Sequence, residues 1–74
     1  MDAAATRKAF DYHMQRAREV AAACGGLAPF TAGHYAGIIN ALSSYSPGIT
    51  QAEWRAATDE LIGLQRKTLD VVPS

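Results

Sequence analysis

Two breaks decide what this chain can fold into. Cys24-Gly25-Gly26 followed by Pro29 interrupts any regular element, and Ser43-Ser44-Tyr45-Ser46-Pro47-Gly48 does so again. Between the breaks apolar residues recur at helical spacing, and β-branched clusters are too sparse for strands. The pattern predicts an all-α protein, a compact three-helix bundle with helices over about residues 3–24, 31–45 and 50–69. Seventy-four residues hold one domain, spanning 1–74, and a single core of that size is marginal.

In the first segment, Phe10, Met14, Ala17, Ala21 and Cys24 fall on one stripe, which places Cys24 in the core. Arg7, Asp11, Gln15, Arg18 and Glu19 lie opposite, with Arg7 and Asp11 one turn apart as an ion pair. Gly25 supplies the left-handed residue that ends the helix. The third segment opens on Thr50-Gln51-Ala52-Glu53, a capping box in which hydroxyl and carboxylate each accept from the other residue's backbone N–H. Ile49 sits where a hydrophobic staple onto Trp54 would form. Trp54, Ala57, Leu61, Leu64 and Thr68 make the apolar stripe, widened by Ile62 and Leu69. Arg55, Asp59, Glu60, Arg66, Lys67 and Asp70 make the solvated side, and Asp70 at the negative helix end favours fraying over Val71–Ser74.

The middle segment breaks the usual pattern. With Thr31 as its N-cap, it gathers Tyr35, Ile38, Ile39 and Leu42 on one face. Gly33, Gly37, Asn40, Ala41 and Ser44 gather on the other. Large apolar side chains therefore oppose small ones, and no charged residue lies between Thr31 and Ser46 unless His34 is protonated. Each glycine costs a helix interior roughly 1 kcal/mol relative to alanine. Close packing of a neighbouring helix, or contact with a partner, would offset that cost. Two other helices of a small bundle cannot easily cover both faces of a third, so the strip is expected to meet another chain. A homodimer is the simplest case, because a two-fold contact uses one patch twice.

Chemistry is poorly provided for. His13 and His34 have no Cys, Asp or Glu at a familiar metal-ligand interval, so neither a metal nor another cofactor is expected. Cys24 ends a helix rather than starting one, which does not favour a thiolate. Ser43, Ser44 and Ser46 lack a nucleophile elbow, and Gly25-Gly26 lacks the Lys and Ser/Thr of a phosphate loop. Asp59 and Glu60 point in different directions. No catalytic residue is assigned and the chain reads as a non-enzyme.

Lys plus Arg and Asp plus Glu both number 7, so formal net charge is zero. That removes the long-range attraction that nonspecific nucleic-acid or anionic-membrane binding needs, and weakens repulsion between copies. A single cysteine excludes an internal disulfide, and residues 1–9 carry no export signal, which together suggest the cytoplasm. No run of about 18 uncharged apolar residues exists to cross a membrane. The chain begins at Met1 without a tag, as a complete small gene product would.

The expectation is a small protein that binds another protein, as a homodimer, through Gly33, His34, Gly37, Asn40, Ala41, Ser44 and Tyr45. By size and class it is comparable with the inhibitors and regulators that phages and plasmids encode, such as anti-CRISPR-like proteins that occlude a host defence complex. The alternative is a nucleic-acid-associated transcriptional regulator using Arg7, Lys8, Tyr12, Arg16 and Arg18 of the first helix. Asp11 and Glu19 interrupt that face, which disfavours the second reading.

Overall fold

The computed structural model describes residues 2–45 and 48–66, together with the backbone but not the side chain of Tyr45. Three helices follow in order: α1 (Ala3–Cys24), α2 (Pro29–Tyr45) and α3 (Gln51–Gly63). They form the expected all-α three-helix bundle. The Asp2 carboxylate caps α1 by accepting from the Ala5 N–H at 2.7 Å. Gly25, at φ 73°, closes it, and the N–H groups of Gly25 and Gly26 both turn back onto the Ala21 carbonyl. The capping box of α3 is complete, with Glu53 N–H to Thr50 Oγ1 at 3.1 Å and Thr50 N–H to Glu53 Oε1 at 3.0 Å.

α2 packs against both α1 and α3, whereas α1 and α3 barely approach each other backbone to backbone. The core therefore lies along one side of α2. Ala32 and Ile39 are buried there, Tyr35, Ala36 and Leu42 pack on its edges, and Phe10, Met14, Ala17 and Ala21 of α1 meet Ala57 and Leu61 of α3 around it. Thr6 is also buried, its hydroxyl donating to the Asp2 carbonyl.

Four boundaries and burials differ from the sequence reading. α2 begins two residues earlier than Thr31: Pro29 takes the first helical position, where its missing N–H costs nothing, and Ala28 offers the first carbonyl to Ala32 at 2.9 Å. α3 stops at Gly63 rather than near residue 69, because the chain leaves the helix to pair with the α1–α2 turn. Leu27 N–H donates to the Leu64 carbonyl and Arg66 N–H to the Leu27 carbonyl, both at 2.7 Å. Leu27 is buried by that pairing. Cys24 is exposed instead of buried, since the helix ends and turns away just after Ala21 meets the core. Ile62 is 59% exposed rather than a widening of the stripe. Thr68, Leu69, Lys67, Asp70 and Val71–Ser74 lie outside the described residues.

Gly26 is where the pairing constrains the sequence. It sits at φ 117°, and a Cβ there would stand 2.9 Å from the Arg66 Cα and 3.0 Å from its N. Gly33 and Gly37 are the reverse case: a Cβ on either meets nothing within 4 Å. In urea denaturation at low protein concentration, Gly26→Ala should cost roughly 2–3 kcal/mol through strain and the backbone clash. Gly33→Ala and Gly37→Ala should each stabilise the chain, by at most about 1 kcal/mol.

Candidate interaction face

The side of α2 away from the core is open. Gly33, His34, Gly37, Asn40, Ala41 and Ser44 are all exposed, on one face, as the helical spacing predicts. The structure brings together every residue of that predicted set except Tyr45, whose side chain lies outside the described residues. Among the described residues no other segment comes within 4 Å of a Cβ placed at either glycine, so the packing of α1 and α3 does not account for them. The Ser44 hydroxyl donates to the Asn40 carbonyl and the Ser43 hydroxyl to the Ile39 carbonyl, both at 2.9 Å. These back-bonds fold the serine donors into the helix and leave the face smoother. Charge is missing over a longer stretch than α2 itself, since no Asp, Glu, Lys or Arg lies between Glu19 and Glu53. His34 packs edge-on against the Tyr35 ring, centroids 5.7 Å apart.

Two features of the face were not legible in the sequence. The earlier start of α2 adds Phe30, which is 86% exposed, one turn before Gly33 and His34. At the other end lies a recess of about 270 Å³, where Asn40, Ser43 and Ser44 of α2 meet Ile49, Thr50, Gln51 and Trp54. The Trp54 indole N–H is shielded from solvent and has no hydrogen-bond partner among the described residues. Pro29 in a position that favours helix starts was the available signal for Phe30. The recess had none, because it joins two helices.

The basic residues of α1 are arranged differently. Arg7 pairs with Glu53 and Asp11, and its guanidinium also lies over the Phe10 ring. Arg18 makes a two-pronged contact with Glu60 at 2.6 and 2.9 Å, and Arg16 binds Glu19 at 2.9 Å. Of the four basic residues in the nucleic-acid alternative, only Lys8 makes no ion pair among the described residues. Tyr12, 59% exposed, stacks edge-on with His13. Glu60 is thus not simply a solvated side chain. The Arg7–Glu53 and Arg18–Glu60 pairs span a groove of about 660 Å³ between α1 and α3, floored by Phe10, Met14 and Ala57.

Among the described residues no three His, Cys, Asp or Glu side chains come together as metal ligands, and no helix is long and apolar enough to cross a membrane. No protein-family model, curated protein or solved structure matches this chain.

Hydrogen bonds from the Thr50 backbone, then from Arg7, hold the Glu53 carboxyl below its ordinary value of 4.5. Arg18 does the same for Glu60. Both carboxyls are depressed in the folded state, so the unfolded chain binds more protons and stability rises with pH in this range. The stabilisation is complete above pH 4.5 and is lost as pH falls through the folded values. Thermal unfolding from pH 7 to 3 should show this loss, and a Glu53→Gln, Glu60→Gln double variant should show a shallower acid limb.

Proposed function

We propose that this chain is a non-enzymatic protein-recognition protein, self-associating as a homodimer, whose contact surface is the exposed face of α2. The observation that carries this reading is the pair Gly33 and Gly37. Both lower helix stability, and no contact among the described residues offsets it. An exposed helix of a monomer gains solubility from Lys or Glu, yet this face has neither. Smooth, uncharged and flanked by an exposed aromatic, it has the composition of an interface centre, where charged residues are depleted and aromatics enriched.

The most concrete form of this function is occlusion of a larger regulatory or defence complex, which asks of a small protein only a binding surface and no catalytic site. A cytoplasmic setting suits a chain with one exposed thiol and no second cysteine.

Gly37→Leu is the direct test. It improves helix propensity, and its Cβ has nothing within 4 Å among the described residues, so circular dichroism should be unchanged. Self-association in sedimentation, and recovery of a specific partner by affinity purification from the native host, should each fall at least roughly tenfold, as truncation or blocking of an interface centre does. Wild-type behaviour in both assays would make the face ordinary surface.

A further inference from the structure

Resting on that reading, we infer that the α2 face is filled by a second copy of this chain, antiparallel, with the two-fold axis passing close to Gly37. The residues on the face are arranged symmetrically about that position in a way that matches opposite properties. An antiparallel two-fold contact at Gly37 sets each residue against the one equally far on the other side. Gly37 then meets Gly37, and Gly33 meets Ala41, so the backbones approach most closely where no side chain stands between them. Small residues permit this at any helix crossing. His34 meets Asn40, and each can both donate and accept a hydrogen bond. Phe30, the most exposed large apolar side chain described, meets Ser44 at the mouth of the recess beside Ile49 and Trp54.

Size and charge support that occupant. The recess of about 270 Å³ is open at the surface and presents Ile49 and Trp54 to an incoming aromatic side chain. The ring of Phe30 from the second copy would pack against the Ile49 and Trp54 side chains that line the recess. A charged partner would leave ions unpaired against this face, whereas a second copy brings an equally uncharged one, and the chains, with no net charge, do not repel. One helix-length contact on each copy buries on the order of 1,000 Å² in total, the lower edge of specific interfaces. The dimer is therefore a weak, reversible one, with a dissociation constant in the micromolar range or above.

Sedimentation equilibrium of the wild-type chain from roughly 10 µM to 1 mM should show a monomer–dimer equilibrium. Emission from Trp54, the single tryptophan, should shift to the blue in step with dimer formation. Phe30→Ala should weaken association roughly tenfold or more and leave the far-ultraviolet circular dichroism unchanged. Disulfide trapping in a Cys24→Ser background fixes the geometry. Gly37→Cys should link to itself, since a disulfide needs Cα atoms within about 7 Å. Phe30→Cys should link to Ser44→Cys in a mixture of the two variants but not to itself.

A wild-type chain that stays monomeric throughout overturns this inference, while the wider reading then stands or falls on partner capture by Gly37→Leu. A dimer that Gly37→Leu abolishes, but in which Phe30→Cys links to itself or Phe30→Ala has no effect, overturns the antiparallel knob-and-recess arrangement alone. A dimer indifferent to both Gly37→Leu and Phe30→Ala overturns this arrangement and, when partner capture is also unaffected, the face as a recognition surface.

Discussion

The bulky face of α2 is the contact on which everything else in this fold depends. α1 and α3 hold their relation to each other mainly by packing against the same side of α2. Ile39 on that face is fully buried, and burying such a side chain stabilises by about 1.5–3 kcal/mol. Removing that ridge would release both neighbours at once. A core built on one side of one helix also has a geometrical consequence. Among the described residues the far side of α2 is left uncovered, because the other two helices are already committed.

Where α1 and α3 face each other at the surface, polar contacts bridge the groove above the shared apolar core. Arg7–Glu53 and Arg18–Glu60 cross the gap as half-exposed ion pairs. Solvent screens such exposed pairs strongly, so their main effect is to set the relative position of the two helices. They also consume the charge of α1. A face that reads in sequence as four basic residues around a tyrosine becomes, Lys8 apart, a set of locally neutral pairs. That leaves little positive potential with which to attract phosphate. At the other end of the molecule the Leu27 pairing with Leu64 and Arg66 locks the tail of α3 to the first turn, and it needs Gly26 to do so.

How much of this was legible follows from the range over which each signal acts. The Gly25 stop of α1, the Thr50–Glu53 capping box and the two faces of α2 obey rules confined to one or two turns, and all could be read directly. The end of α3 could not. Leu64 continues the apolar period, and only the hydrogen bonds to Leu27 show that the chain has left the helix there. The same applies to Glu53 and Glu60, whose partners lie on α1, and to the recess beside Trp54. Phe30 was hidden by competing local signals, since Thr31 is a good N-cap residue but Pro29 is a good first helical residue, and the latter prevailed. The strip of small residues was therefore visible in the sequence, whereas the knob and the recess at its two ends were not.

Agreement between local preference and global fold is the normal condition of a folded chain, and departures from it gather at sites that serve something other than stability. By that standard the glycines of this protein divide into two groups. Gly25 and Gly26 adopt conformations that other residues resist, and at Gly26 a backbone passes too close for a side chain. They agree with the fold. Gly33 and Gly37 lie in regular helix facing open space, where alanine would serve the fold better. Their conflict with helix propensity has no answer among the described residues, and a contact from beyond them would supply one. Because the same face lacks charge, carries its aromatic at one end and its hollow at the other, and belongs to a molecule with no net charge, a surface like itself meets those requirements without any further residue having to change.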